Sequence, residues 1–423
     1  MAAVTSRATT LAPACDDGAG LYRYTVYGAV LAGAGLPIYI HAPTFFAETY
    51  EVSLALIGLA LFGLRILDFA QDPLLGRLAD NLGKWRGVAA GIASVILGAA
   101  MVALFAIPVP VDPLLWFIGC LAVLFTAFSF LWILFYARGI TKGEELGNGG
   151  PLRLAAWREI GTLLGICLAS IIPFLLFLIP LAAPLAVFAW GFFVASLLAA
   201  WLMASEWSGP SRREKGGLRV LLRDPVLRRL LIVGLCNAAP VAVSSSVFLF
   251  FVEARLGSET ASGPLLMLFF LAAAASAPVW SRIAAVYGTK KTLVFAMMLA
   301  LPAFSFSLFL ETGDVLPFAI ICLASGATLG ADFTLLPALF SHNVDRVNGG
   351  GGQAFGLWNF CSKFTLAIAA AAVLPILEAT GFTPSGPNTG EALWTLTLLY
   401  AGVPLVLKAI ALIVLVWTPI EEA

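Results

Sequence analysis

About twelve apolar stretches, each long enough to cross a lipid bilayer as a helix, follow one another along the chain. The composition agrees, because 61% of the 423 residues are hydrophobic and only 11% are charged, against about 25% charged in ordinary soluble domains. The sequence therefore predicts an all-α integral membrane protein. The predicted spans lie near 22–46, 53–76, 87–107, 113–138, 156–179, 184–204, 227–253, 262–284, 290–310, 315–340, 355–378 and 391–418.

Basic residues are distributed unevenly among the connections between these spans. If both chain ends lie inside the cell, the internal connections carry clusters of arginine and lysine, while the external ones carry Arg255 and otherwise acids such as Glu48, Asp112 and Glu311. Loops that stay in the cytoplasm are the ones enriched in Lys and Arg. The pattern predicts an even number of spans and cytoplasmic termini, in the plasma or inner membrane.

A polar and basic segment near the middle of the chain divides six predicted spans from six. We predict a disordered tail over 1–20, an N-terminal six-helix bundle over 21–204, a cytoplasmic basic linker over 205–226 and a C-terminal bundle over 227–423. The string LRVLLRDP within the linker predicts a short amphipathic helix on the membrane surface, although a plain basic linker fits equally well. The six cysteines have no metal-site spacing and indicate no disulfide framework.

Two segments about half a chain apart align without gaps: DPLLGRLADNLGKWRG, residues 72–87, and APVWSRIAAVYGTKKT, residues 277–292. The alignment pairs Pro73 with Pro278, Arg77 with Arg282 and Gly83 with Gly288. Because membrane carriers are often built from duplicated halves, this offset predicts two pseudo-symmetric six-helix bundles.

Three charged residues interrupt the second apolar stretch. Arg65, Asp68 and Asp72 are spaced by three and four, so they share one face of a helix. Each charge at the middle of a spanning helix costs roughly 2.5 to 3.5 kcal/mol, so the face that carries them should point into the protein interior. Two carboxylates one turn apart with a guanidinium nearby suit the capture and release of a small cation.

The string GRLADNLGKWRG, residues 76–87, resembles the loop signature that joins the second and third helices of the major facilitator superfamily on the cytoplasmic side. The resemblance implies the fold of that superfamily, with twelve helices in two bundles. It also implies a cytoplasmic gate, whose candidate residues here are Asp80, Arg77, Arg86, Arg282 and Asp345.

The longer string RILDFAQDPLLG resembles the second helix of the glycoside-pentoside-hexuronide:cation symporters, the melibiose permease family. The resemblance implies that Asp68 and Asp72 ligate the coupling ion, sodium or a proton. Lys363 stands in the eleventh span as the family's lysine does, and Arg65 and Lys363 would then balance charge. Two alternatives stay open: a structural pair of Asp68 with Arg65 or another buried cation, and a lysine that reaches for the interface.

Cargo recognition is predicted less directly. Arg158 matches an arginine that the family uses near its substrate, although a pair with Glu159 or with lipid phosphate fits it equally well. Further candidates for the cavity lining are Trp132, Tyr136, Trp358, Asn359 and Asn237. Asp332 is a candidate for the transport pathway or for the cap of a broken helix after Gly330. The acids that bind sugar in melibiose-type members are absent from the first and fourth spans. The predicted function is cation-coupled symport of a small organic solute, with a sugar-like solute as one option. The alternative is an uncoupled facilitator or a lysophospholipid flippase.

An enzyme is not expected. The chain has no zinc-binding motif and no Gly-x-Ser-x-Gly elbow, and only His41 and His342 offer imidazole bases. We expect no cofactor beyond the coupling ion. The expected partners are a small-molecule substrate and the lipid bilayer, with no nucleic acid, in a monomeric protein.

Overall fold

A computed structural model describes residues 20–35, 38, 41–147, 149–179, 183–208, 218–258, 261–347, 350–383 and 388–420. The predicted N-terminal tail, apart from residue 20, and residues 209–217 of the predicted linker lie outside the described residues. Within the described ranges the chain is helical, with no strand.

The helices are numbered in chain order. They are α1 (Leu21–Gly33), α2 (Ala42–Tyr50), α3 (Leu54–Asn81), α4 (Arg86–Phe105), α5 (Pro113–Glu145), α6 (Gly150–Leu178), α7 (Pro184–Met203), α8 (Leu218–Arg223), α9 (Pro225–Phe250), α10 (Ser262–Tyr287), α11 (Thr289–Ser305), α12 (Val315–Arg346), α13 (Gly351–Ala379), α14 (Gly390–Thr397) and α15 (Val403–Trp417). A π-helical turn, Leu398–Gly402, joins α14 to α15.

Ten segments of the described chain are long and apolar enough to cross a membrane, and they correspond to the third to twelfth predicted spans. Helix α3 supplies the second predicted span, and α1 and α2 overlap the first, with α2 continuing past its predicted end to Tyr50. The predicted all-α membrane architecture is confirmed.

The two repeated segments have similar local structure, although a short 3-10 turn, Gly83–Trp85, precedes α4 whereas α11 begins directly after Gly288. Each begins within a long helix that contains a proline, Pro73 in α3 and Pro278 in α10, and each then turns at a glycine. Gly83 has φ 50° and Gly288 has φ 93°. A side chain is strained at such angles, which is why glycine occupies both turns. The sequence repeat is therefore also a structural repeat.

Small residues allow the helices within a bundle to approach closely. Helix α1 packs against α6, where Gly161 and Gly165 face the main chain of Thr25 and Ala29 so closely that a methyl group would not fit. Such contacts replace the hydrophobic driving force that lipid does not provide between helices. In the second half, α10 packs against α12 and α9 against α15.

The two halves meet mainly through α3 with α13 and α6 with α10. Gly76 faces the main chain of Gly352, and Gly356 faces that of Asp72. These contacts lie in the C-terminal half of α3 and the N-terminal half of α13. We call the end of the bundle that carries the α3–α4 turn and the start of α13 the predicted cytoplasmic end. The halves are thus in close contact toward this end.

The described part of the linker contains α8, over the residues for which a short helix is predicted. The amide of Leu218 donates to the side-chain oxygen of Gln353 in α13 over 2.7 Å. At the other end, the Asp224 carboxylate accepts hydrogen bonds from the amides of Val226 and Leu227, both over 2.9 Å, and so caps α9. The linker helix is therefore attached to both α9 and α13.

Candidate functional site

Asp68 and Asp72 lie one turn apart on the face of α3 that meets α13, and both are buried. The Lys363 ammonium of α13 lies between them. Its Nζ is 2.6 Å from Asp68 Oδ1, and 3.3 Å and 3.2 Å from Asp72 Oδ1 and Oδ2. The structure thus brings together three of the charged residues that the sequence singles out. We call Asp68, Asp72 and Lys363, with the Ser129 described next, the carboxylate site.

Ser129 of α5 completes this group and was missed by sequence reasoning. Its hydroxyl donates to Asp68 Oδ1 over 2.9 Å and lies 2.6 Å from Lys363 Nζ. Beside it, Thr126 donates to the Gln71 side-chain oxygen over 2.9 Å. Serine and threonine are common in apolar helices, so neither residue gave a sequence signal of its own. Only the packing of α5 against α3 selects them.

Arg65 lies at the edge of the site. Its Nη1 is 3.8 Å from Asp68 Oδ2, and a quarter of its side chain is exposed. Two carboxylates are therefore matched by two basic groups in this conformation. The two readings of Asp68, a structural pair with Arg65 and a partner of Lys363, are both present as contacts, but Lys363 is the nearer base.

Arg158 lies in a second buried group, on α6. Its guanidinium stacks on the Tyr136 ring with 3.6 Å between Cζ and the ring centroid, and its Nε donates to Glu159 Oε1 over 3.1 Å. Tyr136 donates to the same oxygen over 2.8 Å and stacks on Trp132. The predicted cargo residues of α5 and α6 are thus adjacent to one another. Glu159 supplies a fixed partner for Arg158.

Two further cargo candidates lie on α13. Trp358 packs against Phe340 with ring centroids 4.8 Å apart and covers Gly234 of α9. Asn359 is buried, and its Nδ2 has no hydrogen-bond partner among the described residues. Trp358 therefore serves the packing of the second half. Asn359 keeps a free donor one turn before Lys363.

Among the predicted gate residues, Asp80 makes the contact that joins the two halves. Its Oδ1 accepts from the Gly352 amide over 2.6 Å and its Oδ2 from the Gln353 amide over 2.9 Å. The carboxylate of α3 thus caps the N-terminus of α13, where a negative charge is stabilised by the helix dipole. Arg77 and Arg282 are exposed, whereas Arg86 and Asp345 are partly buried.

Another buried ion pair lies within the C-terminal bundle. Lys408 of α15 donates a short hydrogen bond to Asp332 Oδ2 of α12, and donates to Asn237 Oδ1 of α9 over 2.7 Å. The sequence marked Asp332 and Asn237 but not their partner. Lys408 was overlooked although it stands alone in the apolar string VPLVLKAIALIVLVW, the same kind of signal that singled out α3.

A family model described as MFS/sugar transport protein matches residues 21–422. The chain belongs to this family of the major facilitator superfamily. Its fold agrees with that of a bacterial homologue of the iron transporter ferroportin, solved in an outward-facing state. The TM-score is 0.72 at 14% identity, over 94% of this chain and 98% of that one. A second structure of that homologue in the same state, with soaked iron, gives a TM-score of 0.70 at 13% identity and the same coverage. No curated protein matches.

This MFS protein is accordingly an integral membrane transporter for a small molecule. Its described residues contain no group of three or more His, Cys, Asp or Glu arranged to hold a metal ion. At the carboxylate site the Lys363 ammonium lies among the oxygens of Asp68, Asp72 and Ser129.

Proposed function

We propose that the transporter couples entry of a cation, sodium or a proton, to uptake of a small organic solute by alternating access. The observation that carries this proposal is the position of Lys363 Nζ, within hydrogen-bonding distance of Asp68, Asp72 and Ser129 at once. A cation and the ammonium cannot occupy one small site together, because like charges repel. Cation binding therefore requires Lys363 to leave.

Displacement of Lys363 would connect the ion to conformation. The ammonium ties α13 to α3 beside the contact between Gly356 and Asp72, where the two halves meet toward the predicted cytoplasmic end. A cation that neutralises the carboxylates removes the need for this tie. A ligand shifts a conformational equilibrium only through its different affinity for the two states. Here the cation binds the state in which the lysine is withdrawn.

The cargo would be taken up beside Arg158. A planar guanidinium matches carboxylate and phosphate groups, and it lies among Tyr136 and Trp132, which offer flat apolar faces. The absence of acids from the first and fourth predicted spans argues against the galactosides of melibiose-type members. An anionic or amphipathic solute fits this group better.

The proposal is tested by uptake into proteoliposomes under an imposed sodium or proton gradient, using labelled sugars, organic anions and lysophospholipids. The wild type should accumulate its cargo above equilibrium when the coupling ion is present. Asp68→Asn should only equilibrate it. Asp112→Asn, which removes a carboxylate from the exposed N-cap of α5, is the matched control and should accumulate like the wild type. Full accumulation by Asp68→Asn contradicts the proposal.

An uncoupled lysophospholipid flippase is the second candidate, favoured by one observation. An apolar groove of about 580 Å³ opens between α3, α4 and α5, and its lining includes Leu75, Ala93 and Phe130. It reaches Thr126, which is hydrogen-bonded to Gln71 beside the carboxylates. This candidate predicts a lysophospholipid flux that does not change when potassium replaces sodium. It also predicts that Ala93→Phe, which places a large side chain in the lining of the groove, blocks the flux.

A further inference from the structure

The C-terminal bundle contains a polar group that the proposed coupling site does not use. Asp332, Lys408 and Asn237 come from α12, α15 and α9, and each of the three residues is more than nine-tenths buried. The same three helices carry buried apolar residues of the bundle core, among them Val233, Leu335 and Ala411. We call this group the C-terminal triad.

The triad lies deep in the bundle. Asp332 is 14 residues before the end of α12 at Arg346, Lys408 is 9 before the end of α15 at Trp417, and Asn237 is 12 after the start of α9. At 1.5 Å per residue these separations are roughly 14 to 21 Å. Charges at such a depth face the full cost of leaving water, and ionisable residues there are rarely only structural.

One oxygen of the triad has no partner. Asp332 Oδ2 accepts from Lys408, but Asp332 Oδ1 has no hydrogen-bond partner among the described residues. A buried acceptor left unsatisfied carries a desolvation penalty that a well-packed apolar side chain would avoid. The arrangement is therefore poorly suited to a purely structural ion pair. It offers an open coordination position on a carboxylate.

The same part of α12 also touches the other half of the transporter. Leu329 and Phe333, one turn before Asp332 and directly after it, belong to the apolar contact that includes Leu163 of α6. Movement of the two halves against each other thus acts on the segment that holds Asp332. A change at the triad can therefore alter the packing of α12 against α6 at the interface between the halves.

We propose that the C-terminal triad is a second site for a monovalent cation, in which Na⁺ and the Lys408 ammonium alternate on Asp332. The Asp332 carboxylate and Asn237 Oδ1 supply oxygen ligands of the kind that hard cations prefer. Lys408 occupies the position of the cation, as Lys363 does at the carboxylate site. In the present conformation each lysine contacts the carboxylate of its site, so an ammonium group of the protein occupies both cation positions.

The test uses Na⁺ itself as the probe and thermal unfolding of the purified full-length protein as the readout, with choline chloride keeping ionic strength constant. A background variant, Asp68→Asn with Asp72→Asn and Lys363→Met, removes the carboxylate site. Adding Lys408→Met opens the triad, and adding Asp332→Asn as well removes its carboxylate without leaving a lone buried lysine charge. Asp314→Asn, at the partly buried residue that precedes α12, is the control for loss of an acid.

The background variant should keep a Na⁺-dependent rise in unfolding temperature, since a ligand stabilises the state that binds it. Lys408→Met should lower the half-saturating Na⁺ concentration several-fold, Asp332→Asn should abolish the rise, and Asp314→Asn should leave it unchanged. The triad proposal is overturned if the background carrying Lys408→Met shows no rise, or if the rise survives Asp332→Asn. A rise in the wild type that is absent from the background both with and without Lys408→Met would support the carboxylate site alone. A rise that only Asp332→Asn removes would support the triad alone.

Discussion

Gly356 of α13 lies so close to the main chain of Asp72 in α3 that a methyl group on Gly356 would come within 2.6 Å of the Asp72 carbonyl oxygen. Lys363 is two turns further along the same face of α13, and its ammonium reaches the Asp72 carboxylate. The spacing of the two backbones at Gly356 thus sets whether the lysine can dock. Backbone contact and ion pair belong to one closed arrangement.

Gly356→Ala should therefore push α3 and α13 apart. Forcing a methyl group into a filled contact typically costs about 1 to 3 kcal/mol, which is enough to favour a conformation open at the predicted cytoplasmic end. Spin labels at the exposed positions Arg77 and Arg282, in a background without native cysteines, should report a longer distance. Gly191→Ala, where a methyl group meets nothing within 4 Å, is the control and should leave that distance unchanged.

Asp80→Ala should shift the same distance in the same direction. Its carboxylate caps α13 from the other half, and loss of an N-cap costs about 0.5 to 2 kcal/mol. Because this cap joins the two halves, its loss destabilises only the closed conformation. Asp112→Ala removes a similar cap, to the Leu115 amide, but within one helix of the N-terminal bundle. It should lower stability without changing the distance between the labels. Equal effects of the two substitutions would contradict a gating role for Asp80.

Glu206 should be important for the stability of the N-terminal bundle. It is buried, accepts from Tyr24 over 3.1 Å, and pairs with Arg23 and Lys142 at 3.1 and 3.5 Å. Removal of one partner from a buried charge group costs about 3 to 5 kcal/mol, so Glu206→Gln should lower the unfolding temperature markedly.

Glu145 provides the comparison for this prediction. It pairs with Arg138 over 2.9 Å, but 37% of its side chain is exposed, and exposed pairs contribute about 0 to 1 kcal/mol. Glu145→Gln should therefore change the unfolding temperature much less than Glu206→Gln does. Equal losses would mean that burial does not control the strength of this group.

Arg158→Lys should separate cargo binding from ion binding. Lysine keeps the charge but loses the planar stack on Tyr136 and the Nε bond to Glu159. We expect a several-fold higher KM for cargo uptake, with the cation dependence of thermal stability unchanged. A changed cation response with normal KM would assign Arg158 to the ion site instead.

Sequence reasoning predicted the elements that rest on local patterns. Charges at a spacing of three and four within an apolar run placed Asp68 and Asp72 on one face, and the structure brings Lys363 to that face. The repeat at 72–87 and 277–292 correctly marked two equivalent turns. Both patterns can be read from the sequence because the cost of a charge in lipid and the backbone geometry of glycine depend on the local segment and not on which helices pack together.

Other features depend on which helices pack together, and the sequence does not carry that information. Asp80 caps the N-terminus of a helix more than 270 residues away, and this contact depends only on how the two halves pack together. Ser129 joins the carboxylate site for the same reason. Lys408 is different, because an isolated charge in an apolar run is itself a sequence signal. The resemblance to a known family points to Lys363 and not to Lys408.

The central claim, competition between Lys363 and a cation for the carboxylates of α3, is tested most directly by titrating cation-dependent thermal stability in the wild type and in Lys363→Met, with sodium and with protons. The account predicts a several-fold lower half-saturating cation concentration in Lys363→Met, because the carboxylates are then free of their internal cation. An unchanged or higher half-saturating concentration for both ions would contradict it.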